Sequence, residues 1–318
     1  MSSYLVENAR QHIEGHISID EVRRNLNEYY QTKNAHDNED SDQAEADKVA
    51  SNIVKLLGED TFAFSYAGLL NIHRRVFDGV FKFAGKIRDY NISKKEWVLD
   101  GDSVLYVSAT ELRRAVEYDL SVEKEKDYTS MDFDSAISSL ADFISGLWQI
   151  HPFGEGNTRT TAVFLIKYLR SLGFHVTNDL FAEKSWYFRN ALVRANYSNV
   201  PKSIPKYRSF LISFFRNLLL DETTPLHNRD MHVSKTKTQR ASTEISKGQF
   251  GTLNGTLEEL AVLKVIEQNT RITQKEIAAA ISKSERTVKR ITSSLGEKGI
   301  LIRRNGKRNG YWEIIKPS

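Results

Sequence analysis

The segment HPFGEGNTRTTA, residues 151–162, lies between two apolar stretches and decides how the chain is expected to fold. Both stretches have helical spacing, the first at Ile137, Leu140, Ala141, Ile144, Leu147 and Trp148, and the second at Val163, Phe164, Ile166 and Leu169. The spacing predicts a loop between two core helices, followed directly by the N-terminus of the second helix. Backbone N–H groups and the helix dipole at such an N-terminus favour an anion.

The side chains of this loop are ones that phosphate chemistry uses. His151 is expected to act as a general base, because an imidazole titrates near neutral pH; the alternative is a buried structural histidine. Glu155 offers an oxygen ligand of the kind that Mg²⁺ prefers. The alternative for Glu155 is an acidic residue that complements the helix dipole, worth about 0.3–1 kcal/mol. Gly154 and Gly156 allow the backbone to approach phosphate oxygens closely.

The loop resembles the signature of the Fic family, His-x-Phe-x-Asp/Glu-Gly-Asn-Gly/Lys-Arg-x-x-Arg. The matching residues are His151, Phe153, Glu155, Gly156, Asn157 and Arg159. Two positions depart from the signature: Thr158 replaces Gly or Lys, and Ala162 replaces the second arginine. HRRVFDGVFKFAGKIRDYNI (residues 73–92) and WYFRNALVRANYSN (residues 186–199) also resemble the family, so the resemblance covers roughly residues 50 to 220.

The resemblance implies a mainly α fold, a Fic-type helical core with a β-hairpin flap, and transfer of AMP from ATP to a protein hydroxyl with Mg²⁺. It implies that His151 is the catalytic base and Glu155 the metal ligand. The implied nucleotide-binding residues are Glu155, Gly156, Asn157, Thr158, Arg159, Tyr187, Phe188 and Asn196. In this assignment the Asn157 amide holds a phosphate, Arg159 neutralises the β-phosphate, and the rings of Tyr187 and Phe188 border the adenine. For Phe188 a place in the core is the competing interpretation.

The flap is expected within residues 89–107, where the turn-like Asp100-Gly101-Asp102 separates two extended stretches. By resemblance its target-binding residues are Val104, Leu105, Tyr106 and Val107, which would pair with an extended segment of the target protein by strand addition.

Two features of the sequence affect the expected activity: the departure from the signature at Ala162 and a candidate inhibitory glutamate. In the family the second arginine contacts the γ-phosphate and pairs with an inhibitory glutamate, so Ala162 is expected to slow transfer or to change the donor. The inhibitory pattern Ser/Thr-x-x-x-Glu-Gly/Asn is matched by Ser3 and Glu7, which lie on one helical face. A competing glutamate in Ile13-Glu14-Gly15 has Arg10 at the Ser/Thr position, and we favour Glu7.

Composition limits the remaining possibilities. The 318 residues allow one large domain and a smaller one. The chain has no cysteine, which excludes disulfides, thiolate metal sites and cysteine nucleophiles. No apolar run approaches the roughly 18 residues that span a bilayer, and the first residues do not resemble a secretory signal. We therefore expect a cytoplasmic protein without a membrane partner.

The predicted organisation has four parts: an N-terminal helical region at residues 1–48, the core at 49–220, a linker at 221–255 and a small domain at 256–318. In the first part, a helix over residues 4–32 is expected to break near residues 15–18, and the acidic run at 35–47 is interpreted as a solvated loop that leads into a helix. The linker is polar, with few apolar groups and room for a short helix.

The last part is predicted to be a winged helix-turn-helix, with three amphipathic helices followed by two short strands around a basic turn. Residues 257–318 contain 13 Lys/Arg against 7 Asp/Glu, so the positive charge of the chain is concentrated there. On the third helix Ser284, Arg286, Thr287, Lys289 and Arg290 would face the major groove of DNA, and on the wing Arg303, Arg304, Lys307 and Arg308 would meet phosphates. The alternative is a module that binds protein.

Three functions remain open from the sequence. The first is a protein adenylyltransferase that acts on Ser, Thr or Tyr, including its own, and is inhibited by its N-terminal helix. The second is a weakly active regulator that senses nucleotide and binds DNA. The third is transfer of another phosphate-containing group such as UMP or phosphocholine. No P-loop or protein-kinase signature is present. A homodimer is also compatible with the sequence.

Overall fold

The computed structural model describes residues 1–33, 38–234, 255–305 and 310–315, and it describes no side chains at 32, 33 and 38–41. The fold is mainly helical, and its thirteen α-helices in these residues are α1 Ser3–Ile13, α2 Ile19–Lys33, α3 Asn38–Leu57, α4 Tyr66–Val76, α5 Leu112–Lys124, α6 Phe133–Ile150, α7 Asn157–Ser171, α8 Asp179–Glu183, α9 Ser185–Asn196, α10 Ser209–Leu220, α11 Leu257–Gln268, α12 Gln274–Ala280 and α13 Glu285–Glu297. Strands β1 (Leu301–Arg304) and β2 (Tyr311–Ile314) form an antiparallel pair.

The N-terminal unit, residues 1–48, has a small apolar core of its own, formed by Leu5, Val22, Leu26, Tyr30 and Ala44. The predicted break near residues 15–18 is present, because α1 ends at Ile13 and α2 begins at Ile19. The predicted solvated loop at 35–47 is wrong from Asn38 onward, where α3 begins. Because α3 runs to Leu57, one helix joins this unit to the rest of the chain, and the expected boundary at 48 falls inside it.

The central domain, residues 49–234, is built around α6 and α7. Nearly every apolar side chain of both helices is buried, as their spacing predicts. Helices α4, α5, α9 and α10 pack around this pair. Residues 221–234 were predicted to be linker, but Met231 and Val233 are buried, and the Val233 N–H donates to the Val98 carbonyl at 2.9 Å. Their few apolar groups are enough to hold them on the core, and the predicted linker residues 235–254 lie outside the described residues.

The flap, residues 89–108, folds back on itself at the predicted turn. A short 3₁₀ helix, Trp97–Leu99, leads into Asp100 and Gly101, which both have positive φ. These residues are all described and contain no assigned strand. The arms meet instead through single contacts, the Glu96 N–H to the Asp102 carbonyl at 2.9 Å and the Lys94 N–H to the Ser103 hydroxyl at 3.2 Å.

The C-terminal domain contains α11 to α13 and the β1–β2 hairpin, as the sequence predicts. Thr256 and Thr273 form complete capping boxes with the glutamates three residues later, which fixes where α11 and α12 begin. The domain docks at the C-terminal end of α7. A Cβ on Gly173 would lie 3.2 Å from Ile281, and Lys264 pairs with Asp221 at 2.7 Å. Since α7 has 15 residues, its two ends are about 20 Å apart.

No helix within the described residues has both the length and the apolar character needed to cross a membrane.

Candidate active site

The catalytic candidate His151 is the residue that ends α6. Its φ is 52°, in the left-handed region, and its N–H donates to the Trp148 carbonyl at 3.1 Å. A left-handed conformation costs a residue with a side chain about 1–2 kcal/mol. Such strain persists where surrounding contacts enforce it, and it is frequent at functional sites. The conformation turns the chain sharply out of α6 and into the loop.

The His151 imidazole lies in an aromatic enclosure. Its centroid is 4.3 Å from that of Tyr106 and 5.2 Å from that of Trp148, and the residue is 4% exposed. Burial, and then the charge of Lys94, lower the pKa of His151 to about 3. The ring is therefore neutral at physiological pH, and it is a weaker base than the imidazole titrating near neutral pH that the sequence predicts.

Arg88 holds the loop in place, a role that the sequence pattern does not predict. It is buried, and its Nε donates to the carbonyl of His151 at 2.9 Å. Its own N–H donates to the Pro152 carbonyl at 2.9 Å, and another guanidinium nitrogen donates to the Tyr90 carbonyl at 2.6 Å. One side chain thus fixes the catalytic loop and the start of the flap relative to each other.

His73 supports the loop from the other side and was also missed. Its ring stacks on Phe153 with centroids 3.7 Å apart. Nδ1 accepts the Gly85 N–H at 2.8 Å, so Nε2 carries the proton and donates to the Glu155 carbonyl at 3.1 Å. Burial lowers the pKa of His73 to about 4, which keeps this tautomer neutral. The signal in the sequence was its place on the apolar face of α4, between Leu69 and Val76.

Asn157 was predicted to hold a phosphate, but the structure commits its amide to the loop itself. Oδ1 accepts the Phe153 N–H at 2.9 Å, and Nδ2 donates to the Phe153 carbonyl at 2.7 Å. Both ends of the carboxamide are used, so Asn157 closes the turn; one Nδ2 hydrogen remains, and its contact with a phosphate stays a prediction.

The N-terminus of α7 is open. Gly156, with φ 81°, precedes the helix, and no side chain in the described part of the chain caps the first turn. A Cβ on Gly156 would lie 2.3 Å from the Phe77 ring, so only glycine fits there. The first N–H groups of α7 and its dipole therefore remain available to an anion.

Three cations surround this N-terminus, and each is paired with a carboxylate. Arg159 contacts Glu45 at 2.9 Å and lies over the Phe77 ring at 5.0 Å. Lys94 contacts Glu155 at 3.0 Å, and Arg189 contacts the buried Glu96 at 2.9 Å. Burial works to raise the pKa of Glu155, but the hydrogen bond and charge of Lys94 outweigh it and hold the pKa below its usual value. Glu155 is therefore ionised at neutral pH.

A cavity of about 370 Å³ brings these groups together. It is lined by Lys94, His151, Glu155, Gly156, Asn157, Thr158, Arg159, Ser185, Trp186 and Arg189. Residues 155–159, which the sequence predicts to take part in catalysis or binding, therefore all line the same cavity as His151. Such a cavity, with a neutral base, an ionised carboxylate and several cations, suits a phosphate ester.

The structure corrects the prediction of which residues border the adenine. Tyr187 and Phe188 are buried and pack on Phe214 of α10, and the Asn196 amide donates to the Ser145 carbonyl at 2.8 Å. They form the core because α9 turns that face toward α6 and α10. The aromatic residue of α9 on the cavity is Trp186, which is 63% exposed.

The predicted inhibitory residues Ser3 and Glu7 are exposed, and Glu7 contacts Arg10 and Gln11 of its own helix at 3.1 and 3.2 Å. The structure does not bring Glu7 to the cavity, because α1 packs with α2. The carboxylate that reaches Arg159 is Glu45. A signal existed in the sequence, since Ser41 precedes Glu45 with the same spacing, although Ala46 follows it instead of Gly or Asn.

The flap residues line a second space beside the cavity. A groove of about 440 Å³ lies between residues 91–93 and 103–108. Val104 and Tyr106 point inward and are buried, whereas Leu105 is 84% exposed. This alternation is that of an extended segment with one free face.

The DNA-binding candidates are divided between free and paired groups. Arg286 and Lys289 are exposed on α13, and Arg290 contacts Glu258 at 3.4 Å. On β1, Arg303 stacks over Trp312 at 4.6 Å and Arg304 pairs with Glu313 at 2.6 Å. Ser284 caps α13 by accepting the Thr287 N–H. Lys307 and Arg308 lie outside the described residues.

Comparison with known proteins identifies the class to which this arrangement belongs. Residues 63–169 match the Fic/DOC family, and residues 259–302 match the winged helix-turn-helix DNA-binding family. The chain contains a Fic/DOC domain followed by a winged helix-turn-helix domain.

Among individual proteins, the chain is similar to protein adenylyltransferase VbhT of Bartonella schoenbuchensis, with 24% identity over 195 residues. The match covers 59% of this chain but 39% of VbhT. Among solved structures it is similar to BepC of Bartonella tribocorum with bound AMPPNP (17% identity, 57% and 87% of the two chains, TM-score 0.46). Another is a Fic family protein of Desulfovibrio desulfuricans (13% identity, 100% and 98% of the two chains, TM-score 0.35).

Proposed function

We propose that this protein transfers AMP from ATP to a hydroxyl side chain of a protein. The observation that supports this most directly is the cavity at the start of α7, which is lined by neutral His151, by the uncapped first turn of the helix and by Arg159. The match to the Fic/DOC family and the similarity to an adenylyltransferase point to the same reaction.

In the proposed reaction, the oxygen of the target hydroxyl attacks the α-phosphorus and forms the new P–O bond. The bond from the α-phosphorus to the bridging oxygen breaks, and pyrophosphate leaves with that electron pair. His151 accepts the hydroxyl proton during the attack, which its neutral state allows. The N–H groups at the start of α7 and the Arg159 guanidinium stabilise the charge that develops on the phosphates.

The family resemblance implies Mg²⁺, and the residues of this chain fit it. Mg²⁺ at nucleotide sites is held by one or two carboxylates together with phosphate oxygens and water. Glu155 supplies one ionised carboxylate on the cavity, and it would hold the ion after Lys94 moves aside. When bound, the ion would neutralise phosphate charge.

We assign target binding to the flap. The exposed face of residues 103–108 and the groove beside it suit an extended segment that adds alongside Val104, Leu105, Tyr106 and Val107. The groove lies next to the arm that carries Lys94, so a bound segment would present its hydroxyl near the cavity.

We assign inhibition to Glu45 instead of Glu7. The Glu45 carboxylate occupies the Arg159 guanidinium, which the proposed reaction needs for the phosphates. A resting enzyme is expected in which α3 must shift, or Glu45 must swing away, before ATP binds productively.

Mass spectrometry of the intact protein after incubation with ATP and Mg²⁺ tests the reaction. A mass increase of one AMP is expected on the protein itself or on an added target, and none is expected for His151→Ala. Parallel incubations with UTP, GTP and CTP test the donor. An increase with another nucleotide alone would replace AMP in the proposal, and no increase with any donor, in the wild type and in Glu45→Gly, would contradict it.

A second function, binding of duplex DNA, is proposed for the C-terminal domain. It is supported by the family match and by the exposed Arg286 and Lys289 on α13. Each phosphate contact removed should lower the slope of log affinity against log salt by about 1. Arg286→Ala and Lys289→Ala are therefore expected to reduce this slope on a random-sequence duplex, and the exposed Lys86→Ala is the control. Equal slopes for all variants would favour a protein-binding module.

A further inference from the structure

Thr158 is the position where the loop departs from the family signature without an evident reason. In the structure its hydroxyl accepts a hydrogen bond from the indole nitrogen of Trp148 at 2.9 Å. Glycine or lysine, the usual residues there, could not accept this bond with a side chain. Trp148 is 1% exposed, so its N–H depends on a partner inside the protein.

Trp148 is also one wall of the enclosure around His151. The two rings meet edge to face, with an interplanar angle of 87° and centroids 5.2 Å apart. Tyr106 forms the second contact at 4.3 Å, and its ring in turn meets that of Trp148 with centroids 5.9 Å apart. The Nδ1 atom of His151 is buried and has no hydrogen-bond partner among the described residues. The orientation of the imidazole is therefore fixed by ring packing and by its own backbone.

We propose that Thr158 is a positioning residue for His151, which acts by holding the Trp148 indole against the imidazole. This proposal rests on the proposed transfer reaction, in which His151 is the base. It concerns the side chain of Thr158 and leaves its backbone N–H, at the start of α7, free for the nucleotide.

The proposal therefore predicts a large effect on the rate of transfer and a small effect on the binding of ATP. Without the hydroxyl, the buried indole N–H has no partner and the ring shifts to find one, so that His151 loses one of its two walls. A displacement of about 1 Å at a reacting group can reduce a rate about 100-fold. ATP binding should change little, because the N–H groups of α7, Arg159 and Glu155 are untouched.

The test compares three variants of the full chain. Thr158→Val, which has the same shape without the hydroxyl, is expected to lower kcat about 10- to 100-fold and to change the KM for ATP less than threefold. Thr158→Ser keeps an acceptor and is expected to restore most of kcat. Thr161→Val, on the same helix and with no side-chain hydrogen bond among the described residues, is the control and should match the wild type.

An NMR measurement that does not depend on catalysis accompanies the kinetic measurements. The Trp148 indole N–H resonance, assigned with Trp148→Phe, and the His151 ring resonances should both shift in Thr158→Val and remain in place in Thr158→Ser and Thr161→Val. The same spectra report whether Thr158→Val is folded.

The results that would overturn the inference differ from those that would overturn the reaction. An increased KM with unchanged kcat would make Thr158 a nucleotide contact, and unchanged His151 resonances in a folded Thr158→Val would remove the positioning role. If neither the wild type nor Glu45→Gly transfers a nucleotide, the proposed function fails, and the resonances alone decide whether Thr158 positions the ring.

Discussion

The loop at 151–159 and the N-terminal unit both place charged groups at the start of α7, but they do so by different means. In the loop the geometry is local: Asn157 bonds Phe153 on both sides, and His151 turns the chain at the end of α6. In the N-terminal unit Glu45 reaches Arg159, 114 residues away in sequence, because α3 packs against α7. The geometry of a contiguous motif can therefore be predicted from neighbouring residues, whereas a contact between residues far apart in sequence depends on how the helices pack.

Two glycines with positive φ give the largest expected contrast between these regions. Gly156→Ala places a methyl group into the Phe77 ring, so it should lower the free energy of unfolding by about 2–5 kcal/mol from overpacking and backbone strain together. Gly15 in the N-terminal unit has open space around it, so Gly15→Ala should cost only the backbone term of about 1–2 kcal/mol. Urea denaturation measures both, and equal losses would show that the loop can relax around Phe77.

The buried histidines of the loop predict a pH dependence. In the folded protein the pKa of His151 is lowered to about 3 and that of His73 to about 4, both below the value of about 6.5 in an unfolded chain. Below that value the unfolded chain binds protons that the folded chain does not, so stability is lost as the pH falls. Between about pH 7 and pH 5 the free energy of unfolding should drop by about 2 kcal/mol for each histidine.

His73→Gln is expected to remove about half of this drop, although it also lowers stability at pH 7 through its lost hydrogen bonds. His16→Gln in the N-terminal unit, where the ring is 68% exposed, should leave the slope unchanged. Chemical denaturation across this pH range provides the measurement. A slope that His73→Gln does not alter would assign the acid sensitivity to other groups.

The candidate inhibitory glutamates Glu45 and Glu7 are expected to affect the rate of transfer differently. Glu45→Gly frees Arg159 and should increase the initial rate of transfer from labelled ATP about tenfold, because more of the enzyme is competent to bind ATP. Glu7→Gly removes only contacts within α1 and should leave the rate unchanged. The reverse result would show that α1 moves to the cavity in solution.

The smallest effect on the rate of transfer is expected at position 162. Ala162 lies on α7 one turn after Arg159, and Ala162→Arg would restore the second arginine of the signature. A rise of a few-fold in ATP-dependent transfer is expected from the added phosphate contact. Ala162→Met adds similar length without charge and should give no rise. If the rate with arginine equals the wild-type rate, the phosphates do not reach this part of the helix.

The sequence was informative where neighbours along the chain decide the structure. The loop between α6 and α7, the break between α1 and α2, and the three helices and hairpin at the C-terminus follow the predicted pattern. The interpretation of α9 failed for a specific reason. Its aromatic residues 186–188 are consecutive, so they point in different directions, and the pattern alone did not tell which of them would face the cavity.

What the sequence determined by itself is the set of chemical groups in the loop and the helical periods on either side of it, because both depend on residues within a few positions of one another. Tertiary structure alone decided that Arg88 and His73 hold the loop, that Glu45 is the carboxylate on Arg159, and that Trp186 instead of Tyr187 borders the cavity. These contacts join residues far apart in the chain, and their partners are selected by which helix faces pack together.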